Sequence, residues 1–335
     1  MIPRERRLRA LGLLLVILTA LLTAFGVPVT SAQGTTLRVV RSEGTLPTDD
    51  PWSSAWNAIR PVDVTLSGQA VAPPRLLLPN VPTVRARAMI DGERFAVLLE
   101  WTDTTIDEDV IDVSRFADQA AVQFALGSGT SVCMGQQAGA LNIWHWKADW
   151  AADLAARKDI EQRFPNAPQD EHLPPDLAEG AGLGPDGFLT GRAAGNPRSA
   201  LVRPSSVEDL VAAGFGTLTS EPLERQDVAG ASAYRDGIWR VVMSRRLDNA
   251  DPNDAPLAVG SAIVVAFAVW DGAKGDRNGT KSVSAWLSLV IPGREMSLLD
   301  HWPFLAMMLV VLALGAWLLW IGSRQPAVGL GGPPS

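Results

Sequence analysis

Few side chains in this sequence can do chemistry, and their scarcity narrows the choices. The chain has one cysteine, Cys133, and three histidines. His301 stands beside an apolar run, which leaves His145 and His172 for the body of the protein. A single thiol excludes an intramolecular disulfide, a haem attached through C-x-x-C-H and a cysteine-held iron–sulfur cluster. Two histidines cannot build a multi-histidine metal cluster. Met134, next to Cys133, offers a soft thioether, although a lone methionine ordinarily fills core space. Asp107, Glu108 and Asp109 fit acid–base work or an exposed acidic turn equally well. Asp271 to Asn278 loosely resembles a calcium loop but lacks its terminal glutamate, so a polar turn is the expectation. Gly127-Ser128-Gly129 lacks the third glycine of a dinucleotide fingerprint, and there is no P-loop or nucleophile elbow. A net charge of −7 gives no basic footprint for nucleic acid. Twelve tryptophans stand against one tyrosine. That much aromatic area can fill a core or face a flat apolar cofactor.

The elements that would position these residues are mostly strands. Residues 34–42 alternate like a first strand, and Trp52 and Trp56 stand one helical turn apart. Thr83 to Ile90 and Arg94 to Trp101 flank Asp91-Gly92, a strong hairpin signal. Further strands are expected at Ala120–Ala125, Ala140–Trp146, Ile238–Ser244, Ser261–Trp270 and Lys281–Ile291, with a short helix from Asp149 to Arg163. Residues 164–230 are rich in Pro, Gly, Asp and Ala, with little periodicity except near Val207–Ala213, and are expected to leave the sheet as a long excursion over a ligand site. The fold class is mainly β: an antiparallel β-sandwich with a few short helices and long loops, plus one C-terminal transmembrane helix.

The two ends point to a membrane. Arg4, Arg6, Arg7 and Arg9 precede an uncharged run from Leu11 to Val27, and small residues lead to Ala32. Residues 1–32 are therefore expected to be a cleaved signal peptide, and 33–298 the exported domain. Phe304 to Gly322 carries no charge and is long enough to span a bilayer core, with Trp302, Trp317 and Trp320 toward its ends. A membrane helix at 303–322 and a cytoplasmic tail at 323–335 follow, with the domain outside the cytoplasm.

One ordered set of motifs stands out. Cys133-Met134-Gly135 is followed by Asn142-Ile-Trp-His-Trp-Lys147, Gly195-Asn196-Pro197, Val207 to Leu210, Gly214-Phe215-Gly216, and Asp236-Gly-Ile-Trp-Arg. Last come Phe267-Ala-Val-Trp-Asp-Gly272 and Arg277 to Trp286. Together they resemble the haem b-binding γ subunits of the type II dimethyl-sulfoxide-reductase family, which partner molybdenum enzymes. Examples are ethylbenzene and dimethylsulfide dehydrogenases, selenate and chlorate reductases and related nitrate and nitrite oxidoreductases. The soluble members of that family lack a membrane helix, so the tether is a departure.

The resemblance implies a β-sandwich with one haem b between a methionine and a lysine, matching Met134 and Lys281, with Trp144, Asn196 and Phe215 as further cofactor-binding residues. It also implies a non-catalytic electron-transfer subunit beside an iron–sulfur β subunit and a molybdopterin α subunit. The chemistry is consistent. A thioether is a soft ligand, and an amine ligates iron only when neutral, which a buried apolar site favours. Two protein ligands leave no open position for substrate. His145 is the rival ligand. Strand alternation puts it on the face opposite Trp144 and Trp146, and a structural role is expected, with Lys147 a surface or propionate partner. A membrane-tethered carbohydrate- or substrate-binding sandwich without haem would use the same tryptophans. An assembly module would use the 164–230 excursion as an interface.

Overall fold

The computed structural model describes residues 35–127, 140–156, 164–166, 203–214 and 216–293, and separate positions between 306 and 320. Residues 34–293 cluster as one compact unit. Its strands are β1 Thr36–Arg38, β2 Val40–Arg41, β3 Val62–Gly68, β4 Thr83–Ile90, β5 Arg94–Thr102, β6 Gln119–Ala125 and β7 Leu141–Lys147. They continue as β8 Val207–Ala212, β9 Thr219–Ser220, β10 Ala229–Arg235, β11 Ile238–Arg246, β12 Ala262–Trp270, β13 Ser282–Ser284 and β14 Leu287–Val290. Two short helices interrupt them, α1 Ser54–Asn57 and α2 Ala148–Ala155. The helix expected to reach Arg163 is described only to Ala155.

The strands form two antiparallel sheets. One runs β10-β11-β5-β4-β3, with β2 parallel to β4; the other runs β13-β12-β6-β7-β8-β9, with β14 also on β12 and β1 parallel to β14. Gly68 pairs with Ser282 where β3 meets β13, which joins the sheets at one edge. The β4–β5 hairpin forms as its Asp-Gly signal predicts: Asp91 Oδ1 accepts the N–H groups of Glu93 and Arg94 at 2.7 Å each. The 203–230 part of the expected excursion is different. Val207 to Ala212 pairs residue for residue with β7, so this stretch extends the sheet. The periodicity near Val207–Ala213 marks this strand, although it carries Glu208 and Asp209, two acidic residues that usually sit badly in strands and that here are both buried.

The inner faces meet in an aromatic core. Trp101 on β5 lies 6.0 Å from Trp146 on β7, and Trp239 on β11 lies 5.2 Å from the same ring. Trp144 packs 4.8 Å from Phe124 and 6.0 Å from Phe95. Each such pair contributes about 0.5–1.5 kcal/mol beyond the area it buries. These tryptophans join the sheets, so much of the aromatic content is structural.

One end of this core holds a polar network. Asp209 is 1% exposed and accepts from Asn142 Nδ2 at 2.7 Å; Arg245 Nη1 lies 2.8 Å from Asp254 Oδ1. Burial, and then the charge of Asp254, push the Asp209 carboxyl up to about 8. The folded chain thus holds a proton that an unfolded aspartate releases near pH 4. Because the native state binds more protons, stability falls as pH rises from about 4 toward about 8. Urea unfolding near pH 5 and near pH 8 should show that fall flattened in Asp209→Asn; an unchanged pH slope in the variant would refute the assignment.

The C-terminal segment belongs to a separate unit. Residues 306, 307, 309, 310, 312–315, 317 and 320 are helical, and Met307, Leu309, Val310, Leu312, Leu314, Trp317 and Trp320 are exposed. Among the described residues, no helix is long and apolar enough to cross a membrane. The segment assigned to export, 1–32, lies outside the described residues.

Candidate functional site

Strand pairing builds a floor on the outer face of the second sheet. Val283, Ala268, Ala121, His145 and Glu208 stand in register across β13, β12, β6, β7 and β8. Beside them Ala266, Gln123, Ile143, Leu210 and Ser220 form a second row, and Trp270, Gln119 and Lys147 a third. Every one of these residues lines a cavity of about 800 Å³. That volume falls within the roughly 300–1,000 Å³ typical of cofactor and small-ligand sites. The alanines explain the space. On β6 and β12 the inward positions carry Val122, Phe124, Phe267 and Val269, whereas the outward positions carry Ala121, Ala266 and Ala268.

The floor is apolar at its centre and charged around it. Ala121, Ile143, Leu210 and Trp270 are buried there as a cluster of their own. His145 stacks on Trp270 with ring centroids 4.8 Å apart and planes at 27°. Lys281, half-buried just before β13, places Nζ 4.8 Å from the centroid of the Trp270 ring. Its carbonyl accepts the N–H of Gln69 at 3.0 Å, which fixes the backbone that presents it. Arg115, Arg203 and Arg277 join Lys147 and Lys281 on the lining, against Asp149 and Glu208. An anion, or a flat apolar molecule with acidic substituents, suits such a cavity.

The expected site residues separate in the fold. Lys281 lines the cavity, and so does His145, on the face alternation assigned it. Trp144 turns inward from the same strand and lies in the inter-sheet core, 0% exposed, with Nε1 donating to Asn142 Oδ1 at 3.1 Å. Met134, Asn196 and Phe215 lie outside the described residues. Lys147 corrects an expectation. It is not at the surface: it is 2% exposed, paired with Glu208, and sits 4.0 Å from the Trp150 ring centroid. As a residue at the very end of β7 it faces the cavity row, where only a carboxylate neighbour makes burying an ammonium tolerable. Trp270 stands in one of the ordered motifs but was given no role there, and Arg203, Gln69 and the alanine rows were not singled out from sequence. Small residues at every second position of otherwise bulky strands were the available signal, and it needs the strand register to be read.

Relatives of the chain agree with one another. It is 28% identical to a protein of Haloferax mediterranei named for the heme subunit of a respiratory nitrate reductase, over 84% of this chain and 83% of that one. It is 27% identical to the chlorate reductase subunit gamma of Ideonella dechloratans, over 59% and 60%. It is 32% identical to the dimethylsulfide dehydrogenase subunit gamma of Rhodovulum sulfidophilum, over 58% and 54%. Among solved structures, a family 9 carbohydrate-binding module from Caldicellulosiruptor kristjanssonii covers 79% of this chain at 8% identity. Its TM-score of 0.39 is too low to carry an argument. The family model described as ethylbenzene dehydrogenase matches residues 53–282, a stretch that holds β6, β7, β8, β12 and Lys281. The chain belongs to the ethylbenzene dehydrogenase family.

Proposed function

We propose that the chain is a haem b electron-transfer subunit of a membrane-associated molybdenum oxidoreductase complex, with the haem held in the cavity on the outer face of the second sheet. The observation that carries this reading is the alanine-floored cavity with the Lys281 amine at its edge, in a chain whose relatives are named as heme and gamma subunits. The residues fit the group. Ala121, Ala266 and Ala268 leave room for a flat ring, Trp270 and Ile143 give it apolar contact, and the arginines suit its carboxylates. When bound, haem supplies a one-electron couple between ferrous and ferric iron.

On this reading Lys281, through its neutral amine, and Met134 would hold the haem iron. Gln69 holds the Lys281 backbone. Arg115, Arg203 and Arg277 orient the acidic edge of the ring. The partners on this reading are an iron–sulfur β subunit and a molybdopterin α subunit, with the chain itself non-catalytic. The uncharged run from Phe304 to Gly322, whose described residues are helical and carry exposed apolar side chains, acts as a single membrane tether with the haem domain on the extracytoplasmic side. The full chain made in a haem-sufficient host should show a Soret band of a low-spin, six-coordinate haem. A chain that purifies folded and colourless, or that binds glycans instead, would overturn the reading.

A further inference from the structure

We infer that Asp103, Asp118 and Asp271 form a site for a hard divalent cation, calcium by the chemistry of its donors, that ties the two sheets together beside the cavity. Asp103 follows β5 in the first sheet; Asp118 precedes β6 and Asp271 follows β12, both in the second. They are 5%, 0% and 8% exposed, and a carboxylate oxygen of each lies within 4.8 Å of those of the other two. Among the described residues no ion pair reaches any of the three. Three like charges at this spacing, away from water, repel strongly unless protons or a cation offset them.

Two features favour the cation. The first is Asp118, whose Oδ1 accepts from Gly272 N at 2.9 Å, and whose Oδ2 accepts from Asp107 N at 2.9 Å and Trp239 Nε1 at 3.1 Å. Three donors favour the carboxylate over the acid, and they leave Oδ1 with one lone pair to offer. The second is Asp103. Its Oδ1 accepts from Thr105, but Oδ2 is buried and accepts no hydrogen bond from any described residue. A buried carboxylate oxygen without a partner costs free energy that a bound cation would recover.

Burial is also what pushes Asp118 up to about 7 and raises Asp103 in the cation's absence, with neighbouring aspartates adding to it. The second acidic cluster, Asp209, Asp227 and Asp254, needs no metal, because the Arg245 guanidinium already sits 2.8 Å from Asp254. All the donors at the first cluster are oxygens, which suits calcium and its irregular coordination better than a transition metal. The approach of the segments is tight: a Cβ on Gly272 would stand 2.1 Å from Phe116 O and 2.7 Å from Asp107 Cβ. The Asp271 turn then runs on to Arg277 and Lys281, so an occupied site would also steady the segment that presents the cavity lysine.

The test uses the full chain after chelator treatment, with calcium chloride as the probe. At free calcium about 100-fold above the dissociation constant, the unfolding midpoint should rise by roughly 5–10 °C, and magnesium chloride should raise it less. Asp103→Asn, which keeps the shape of the side chain, should weaken calcium binding at least tenfold by calorimetry and abolish the shift. Asp271→Asn on the other sheet should do the same if the first variant folds poorly. Asp227→Asn and Lys281→Ala should keep the shift, which separates this site from the haem reading. A folded wild-type chain with neither a binding heat nor a calcium-dependent midpoint would overturn the inference, as would a shift that survives in both Asp103→Asn and Asp271→Asn.

Discussion

Lys281→Ala is expected to strip the haem or change its ligation outright. The amine stands on the cavity lining 4.8 Å from the Trp270 ring centroid, and alanine leaves nothing to coordinate there. Residues that merely orient metal ligands cost roughly 10- to 100-fold in metal affinity when changed; a ligand itself should cost at least that. The absorption spectrum should move from low-spin six-coordinate toward high-spin five-coordinate, or the Soret band should vanish on gel filtration. Far-ultraviolet circular dichroism should stay unchanged, because Lys281 is only half-buried and sits outside the strand core. Met134→Ala should act in the same direction, and an unaltered spectrum in both variants would reject this pair of ligands. His145→Ala separates the rival: loss of the low-spin spectrum there, with Lys281→Ala silent, would transfer the ligand role to the histidine stacked on Trp270.

Arg245→Met should be the most damaging change to stability. Arg245 is 2% exposed; Nη2 donates to Ala255 O at 2.6 Å, Nη1 pairs with Asp254, and the guanidinium stands 5.3 Å from the Trp144 ring centroid. Methionine fills much of the same space but leaves Asp254 beside Asp209 with no cation. Breaking a buried pair from one side costs about 3–5 kcal/mol, a fall of roughly 6–20 °C in unfolding midpoint for a domain this size. Arg246→Met next door is the control. Its pair with Asp248 is exposed and screened by water, so the midpoint should hardly move. Comparable midpoints for the two variants would show that the Arg245 network contributes little.

Strand identity, the β4–β5 hairpin and the face on which His145 sits were all legible in the sequence. These are local properties: a period of two and an Asp-Gly turn act over a few residues, whatever surrounds them. The family was legible too, because an ordered set of short motifs survives where each motif alone is weak. The place of β8 was not. Glu208 and Asp209 are tolerated in a strand because Lys147 and Asn142 on β7 meet them.

The composition by itself decided what the protein could not be. With one cysteine, no intramolecular disulfide, no haem attached through C-x-x-C-H and no cysteine-held iron–sulfur cluster can be built, wherever the residues fall. Pairing across distant strands decided the rest. Ala121, Ala266 and Ala268 become one floor only when β6 and β12 lie side by side, although nearly 150 residues of chain separate them. Asp103, Asp118 and Asp271 are far apart in the chain, and they converge only because three strands from two sheets end at one place. Alternation tells each residue which face it takes; only the packing of the sheets determines which other residues share that face.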